Sequence, residues 1–537
     1  PQRQFSSCVV IETGDSIESI TATSTAVVKY VSQKAGIGIG AGRIRGIGSS
    51  VRGGNATHTG VIPFYKLFQA SVKSCSQGGI RGGEATLYYP IWHQEVEDLL
   101  VLKNNKGIED NRVRQLDYGI QFNKVMYERL LSGGNITLFS PHDVPDLYDA
   151  FFTDVDLFRE LYEKYERSTK IKKKSVPAIN LFSQFAQERM DTGRIYLQNV
   201  DHSNTHGSFI PTLAPIRQSN LCTEITLPTV PLNDINDPMG EISLCILIAI
   251  NWGKIKKPED FERPCTLAVR ALEALIDYQT YPVLAAELTT RARRPLGVGI
   301  INFAYWLAKN QSGYIEPNLD LIHQYAEAWS YYLIKASVDL AEELGPCERA
   351  DQTKYAQGIL PIDTYKKEVD ELVAPVYHMD WESLRQRLIE HKIRHSTLMA
   401  LMPAETSAQI SNSTNGVEPP RALISVKQSK DGVLKQVVPG VSNTKIKYDL
   451  LWDQPSPEGY LKIMAVLQKF IDQSISTNTS YNPKFYPNEK IPMSELLKHI
   501  LMMYKYGIKT AYYNNVCDGA GEIDTSDDGE DCESCKI

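Results

Sequence analysis

Residues 219–225 read SNLCTEI. Asn220, Cys222 and Glu224 stand at positions i, i+2 and i+4. That spacing puts three side chains on one face of an extended segment and splays them apart on a helix. A thiol, an amide and a carboxylate converging on one cavity can anchor a ligand, move a proton and act on a neighbouring carbon. The same spacing also suits an edge strand with a buried cysteine. These seven residues alone leave both readings open, and the choice rests on what flanks them.

Towards the N-terminus the chain opens PQRQFSSCVVIE, directly with a strand-like run at 9–12. Either the chain was cut, or another polypeptide completes its N-terminal side. Between Glu18 and Glu84 there is no acidic residue but there are eight basic ones. This window holds GIGIGAGRIRGIGSSVRGG at 36–54 and CSQGGIRGG at 75–83. Glycines let backbone amides approach an anion, and arginines grip phosphate with two prongs. A nucleotide-phosphate site is the reading favoured over two surface loops. A Rossmann fingerprint fails, because no ribose-binding acid follows at the required distance.

Towards the C-terminus, MPAETSAQISNSTNG at 402–416 places Thr406 and Ser407 after Pro403, where a helix is expected to start. Such a start is either an anion site or simply a capped helix. Further on, TAYYNNVCDGAG sets Tyr512 beside Tyr513, and DTSDDGEDCESCKI ends the chain with Cys532 and Cys535. Residues from 519 onward are acidic and nearly devoid of apolar side chains, the composition of a flexible tail.

Apolar runs alternate with helical patterns, as in an α/β protein. Helices are expected at 319–344, 459–474 and 493–507. The lysine run KIKKKS at 170–175 reads as a solvated helix end. In HKIRH, His391 and His395 lie one helical turn apart without a third ligand, so an ordinary helix face is expected and no metal site. The 537 residues carry a net charge of −7, which argues against nucleic acid and membrane surfaces as partners. The longest apolar run, ISLCILIAINWG, is too short to span a bilayer. Nine cysteines, irregularly spaced, fit a reducing compartment, hence a cytoplasmic location, that of a host cell if the gene is phage-borne.

Taken together, RQFSSC, NLCTEI, MPAETSAQISNSTNGVEPPR, the tyrosine pair and the two-cysteine tail resemble, in order, the large (α) subunit of class I ribonucleoside-diphosphate reductases. The resemblance runs along essentially the whole chain. It implies a ten-stranded α/β barrel of two antiparallel five-stranded halves with a central catalytic loop. Residues 1–515 would form this barrel with its specificity-effector site, and 516–537 a redox tail.

The resemblance also implies roles. Cys222 would become a thiyl radical that takes hydrogen from the ribose 3′ carbon. Glu224 would act as base on the 3′-hydroxyl, and Asn220 would hold the substrate hydroxyls. Cys8 and Cys245 would supply two reducing equivalents and end as a disulfide. Ser7, Cys8, Gly36, Asn220, Leu221, Cys222, Thr223, Glu224, Pro403, Ala404, Glu405, Thr406 and Ser407 would line the nucleoside diphosphate site. Tyr512 and Tyr513 would relay the radical, and Cys532 and Cys535 would re-reduce the buried disulfide. The tail cysteines sit about 19 residues beyond Tyr513, a reach of roughly 60 Å when extended. Asp15, Ser16, Arg45, Arg52, Gln77 and Arg81 match positions that bind or relay a deoxynucleoside triphosphate or ATP effector.

The resemblance assigns this chain no bound cofactor or metal. It implies dependence on the diiron-tyrosyl radical of a separate small (β) subunit, a second copy of the chain, and thioredoxin or glutaredoxin. The start at the barrel leads to the expectation of a naturally split subunit, completed by a separate N-terminal polypeptide. Ala404 departs from the hydroxyl residue that some family members carry. A non-catalytic, nucleotide-binding fragment is the competing reading, and the presence of every catalytic residue speaks against it. A cobalamin-dependent class II enzyme is weaker still, since it needs no tyrosine relay.

Overall fold

The computed structural model describes residues 3–77, 81–429 and 432–517. Its centre is an eight-stranded sheet. In chain order the strands are β1 (Cys8–Glu12), β2 (Gly36–Gly40), β3 (Ala85–Pro90), β4 (Asp117–Phe122), β5 (Ile195–Asn199), β6 (Ser243–Asn251), β7 (Leu296–Ile301) and β8 (Thr510–Ala511). In space they run β7-β6-β1-β2-β3-β4-β5-β8. From β1 to β5 all neighbours are parallel. β6 lies antiparallel to β1, with β7 parallel to β6, and β8 lies antiparallel to β5. Beyond β7 the chain adds two bridges, Val298 with Met399 and Leu401 with Ile475, both parallel.

These strands are buried along both faces, which explains why they read as unbroken apolar runs rather than as alternating ones. Helices connect and cover them. Helix α1 (Ile17–Val31) follows β1 and is capped by Ser16, whose side chain accepts from the Ser19 N–H. The expected helix α2 (Leu319–Leu344) is present over its full length.

Glycine in β2 has a specific use. A Cβ at Gly38 would fall 1.9 Å from the Ser219 carbonyl oxygen. The glycines at 36–40 therefore form a strand that lets the 219–225 loop lie against its backbone, while Ile37 and Ile39 fill the core. The first part of the glycine-rich run is thus a strand, neither a phosphate loop nor a surface loop. Gly38→Ala is expected to cost about 3 kcal/mol or more of stability, because the clash is with backbone that cannot rotate away. Denaturant unfolding of the variant measures it.

Three local expectations need correction. The lysine run is not a helix end. Lys173–Pro177 is a strand paired antiparallel with Asn135–Phe139, and exposed lysines on such an edge deter further pairing. The helix expected over 459–474 is Glu458–Gln468, here α4, because the following residues join the strand region. There Gln473 N–H donates to the Met399 carbonyl and Ser474 N–H to that of Glu224. His391 ends a helix and His395 lies beyond it, buried against Glu273 and Ser337, so the two share no helix face. The helix expected over 493–507 is Met493–Lys505, here α5.

Candidate active site

Residues 219–225 do not form a strand. They make a turn in which Thr223 has φ 71°, a left-handed backbone that non-glycine residues seldom adopt. An extended segment would bring the three side chains together by alternation. Here a bend does so, and Asn220 Nδ2 donates to Glu224 Oε1 at 2.9 Å.

Irregular backbone inside a protein leaves polar groups that must be satisfied. Six consecutive carbonyls of this loop are satisfied by groups outside the local backbone pattern. Tyr88 OH donates to Asn220 O at 2.6 Å, Thr86 Oγ1 to Leu221 O at 2.8 Å and Ser476 Oγ to Cys222 O at 2.6 Å. Thr510 Oγ1 donates to Thr223 O at 2.9 Å, Ser474 N–H to Glu224 O at 2.9 Å and Ser219 Oγ to Ile225 O at 2.6 Å. The loop hangs between β3 on one side and the 474–476 and β8 segments on the other.

Around it the expected residues assemble. Cys8 on β1 is the direct cross-strand partner of Cys245 on β6. Such partners have Cα atoms about 4.5–5.5 Å apart, inside the roughly 4.4–6.8 Å that a disulfide spans. Cys8 Sγ donates to Glu224 Oε1 at 3.4 Å, and Gln473 Nε2 donates to Cys245 Sγ at 3.7 Å. Burial raises the Cys245 thiol well above its ordinary pKa, with Cys8 adding to the effect. Burial likewise pushes Glu224 up to about 7, although its own backbone N–H, Asn220, Cys8 and Ser476 pull the other way.

On the other side of the loop Tyr512 OH donates to Cys222 Sγ at 3.4 Å. The Tyr512 and Tyr513 rings lie 3.8 Å apart between centroids. Tyr196 packs on both, at 4.8 and 6.1 Å, and donates to Asp117 Oδ2 at 2.7 Å. Arg194 sits over the Tyr513 ring at 5.1 Å. Burial alone would raise Asp117, yet Lys103 and Arg194 hold it below the usual carboxylate range. Tyr196, Asp117, Ser476 and Gln473 carry no sequence signal, since each reaches the site from a distant segment.

The remaining expected residues fall into groups. Ser7 Oγ lies 3.7 Å from Cys8 Sγ, and Gly36 is Cys8's partner on β2. Helix α3 (Glu405–Ile410) starts after Ala404, with no side-chain cap. Ala404 N–H donates to Asn415 Oδ1 at 2.9 Å, and Ala404 packs with Ala408 and Ile301 at the end of β7. Pro403 precedes that start, and of the two hydroxyl residues Thr406 is exposed and Ser407 half-buried.

Elsewhere, Asp15 accepts from Arg45 at 2.8 Å, Ser16 caps α1, and Arg52 is exposed in a short hairpin. Two further basic residues of the window pair with acids outside it: Arg43 with Glu12 and Asp149, and Lys73 with Glu84. Gln77 and Arg81 are paired backbone partners in a two-stranded hairpin. Cys532 and Cys535 lie outside the described residues. Among the described residues, no helix is long and apolar enough to cross a membrane.

A family model described as "Ribonucleotide reductase, barrel domain" matches residues 6–514. A Haemophilus influenzae protein named "Ribonucleoside-diphosphate reductase subunit alpha" is 60% identical over 539 residues, covering 100% of this chain and 71% of the relative. The Escherichia coli "Ribonucleoside-diphosphate reductase 1 subunit alpha" is 58% identical over 544 residues, with 100% and 72% covered. The "Ribonucleoside-diphosphate reductase subunit alpha" of Enterobacteria phage T4 is 50% identical over 549 residues, again with 100% and 72% covered. In all three the matched span lies within one longer chain, so the expected split subunit finds no support in them.

Proposed function

The chain belongs to the ribonucleotide reductase barrel family, and from that premise we propose how its residues share out the reaction. It carries the catalytic barrel of a class I ribonucleoside-diphosphate reductase α subunit, which acts with a separate β subunit. The observation that supports the assignment of roles is Cys222 against Tyr512, in the loop whose Glu224 carboxylate meets Asn220 and Cys8.

In this reading Tyr513 and Tyr512 pass the oxidising equivalent inward, and Cys222 loses its hydrogen to become the thiyl radical. Cys222 then takes hydrogen from the substrate's 3′ carbon while Glu224 accepts the 3′-hydroxyl proton. The 2′-hydroxyl leaves as water with a proton from the thiol pair. Cys8 and Cys245 give two electrons and become a disulfide, their second hydrogen goes to the 2′ carbon, Glu224 returns its proton to the 3′ oxygen, and the hydrogen on Cys222 returns to the 3′ carbon. Ser7, Gly36, Asn220 and the 403–407 turn hold the diphosphate and sugar. A diiron-tyrosyl centre on the β subunit would supply the radical. Asp15, Ser16, Arg45 and Arg52 bind the triphosphate effector at a contact with a second copy of the chain, and the Gln77 and Arg81 hairpin relays it. The eight strands, with the 399–401 and 475 segments between β7 and β8, supply ten staves in two halves of five.

The cysteine assignment is tested by a single turnover without external reductant. Mass spectrometry of the quenched Cys532→Ser/Cys535→Ser chain, whose tail cannot exchange, is expected to find Cys8 linked to Cys245, and any other pairing overturns it. Cys532→Ser with Cys535→Ser is expected to leave that first turnover intact and to stop further ones when thioredoxin is the sole reductant. Dithiothreitol should restore part of the activity.

The carboxylate assignment predicts a pH profile. A base must be deprotonated, so kcat/KM should rise about tenfold per pH unit below about 7 and flatten above it. Glu224→Gln should remove that inflection and about 10²–10⁴ of the rate. The same shift enters stability with a fixed sign. The folded state holds this proton more tightly than the unfolded one, so the contribution is fully present below about pH 4.5 and is lost as pH rises through about 7.

A further inference from the structure

Away from the catalytic loop, α4 and α5 bring Glu458, Glu495 and His499 together, each with a ligand-capable atom within 4.8 Å of the others. Glu495 and His499 are four residues apart on α5 and so share a face. The His499 side chain is 1% exposed, and its Nδ1 lies 2.8 Å from Tyr481 OH. Its other ring nitrogen, Nε2, is buried and has no hydrogen-bond partner among the described residues.

That nitrogen faces Glu458 Oε1 at 3.7 Å and Glu495 Oε2 at 3.8 Å. Both distances exceed the about 2.7–3.2 Å of an N–H···O bond. They approach the roughly 3.3–3.6 Å edge of a tetrahedron built on metal bonds of about 2.0–2.2 Å. A buried ring nitrogen thus faces two carboxylates at distances too long for a direct hydrogen bond to either. One cation already visits the carboxylates: Lys498 Nζ lies 2.6 Å from Glu458 Oε1 and 3.8 Å from Glu495 Oε2, on an exposed side chain free to swing away.

We propose that Glu458, Glu495 and His499 form a binding site for a borderline divalent cation of the Zn²⁺ class, with water in the fourth position. One imidazole and two carboxylates suit such an ion better than Mg²⁺ or Ca²⁺, which prefer oxygen alone. Tyr481 is the outer partner that fixes the ring, as groups behind metal-bound histidines commonly do. The ion ties α4 to α5 and, through Tyr481, to the strand Thr479–Tyr481. That strand pairs with Asn514–Val516, the segment directly after the tyrosine pair. The site is therefore a clip on the route by which the chain leaves the active site.

Calorimetric titration of the whole, reduced chain with Zn²⁺ tests this. Cysteines bind zinc alike in every variant, so the reading is a difference. The parent is expected to take up one more ion per chain than Glu495→Gln or His499→Gln. Lys498→Met removes the competing ammonium and is expected to tighten that ion by about threefold to tenfold. Equal stoichiometry in the parent and Glu495→Gln, or unchanged affinity in Lys498→Met, overturns the proposal. Glu495 and Lys498 are partly exposed, so these two variants decide the matter even if His499→Gln fails to fold.

Discussion

Cys222→Ser is expected to reduce ribonucleotide turnover to background while substrate affinity stays within a few-fold of the parent. An O–H bond is much stronger than an S–H bond, so a serine oxygen cannot take the radical from a neighbouring tyrosine and hand it to a sugar carbon. The substitution leaves the loop in place. Its anchors are backbone carbonyls held by Tyr88, Thr86, Ser476 and Thr510, none of which contacts the sulfur by those bonds. The new hydroxyl is buried, but Tyr512 OH remains beside it as a partner. A reduction assay with a nucleoside diphosphate, the β subunit and dithiothreitol, paired with substrate binding, gives the result. Near-normal turnover would remove the central assignment.

Tyr512→Phe is expected to stop multiple turnover nearly as completely, for a different reason. The ring remains to pack against Tyr513 and Tyr196, and only the hydroxyl 3.4 Å from Cys222 Sγ is lost. Burial raises the Tyr512 phenol well above its ordinary pKa, helped by the neighbouring Cys222. It is therefore protonated at working pH, and oxidising it requires its proton to move with the electron. Phenylalanine has no such proton. Stability should change by about 1 kcal/mol or less, since one hydrogen bond to sulfur disappears without a volume change. Thiol–disulfide exchange at Cys8 and Cys245 should be unaffected, because neither touches the hydroxyl. A variant that turns over at more than a few per cent of the parent rate would put the relay elsewhere.

The loop residues, the cysteines and the tyrosine pair came from the resemblance, since spacing alone left SNLCTEI open and gave the tyrosines no role. The way they meet was not legible in the sequence. Alternation along SNLCTEI led to an extended segment, whereas the left-handed Thr223 bends it, and that conformation is fixed by carbonyl partners at 86–88, 474–476 and 510. Ser476 and Gln473 went unnoticed for the same reason: their roles exist only through contacts more than 220 residues away in sequence. The glycines of β2 looked like a flexible anion loop because composition cannot distinguish freedom of backbone from lack of room. At 170–175 the lysines marked solvent exposure correctly but not whether a helix or a strand was exposed.

The two antiparallel seams of the sheet have a consequence for how electrons travel. The seam between β1 and β6 holds Cys8 opposite Cys245. The seam between β5 and β8 holds Tyr196 and leads straight into Tyr512. Five parallel strands separate them, with the Cys222 loop between. Under the roles proposed above, single-electron traffic has one port and paired-electron traffic another, and the two circuits share a single component, the thiol at 222. A lesion in either circuit leaves the other wired, so a stalled enzyme would reveal by its redox state which port had failed: a lasting disulfide for one, untouched thiols for the other.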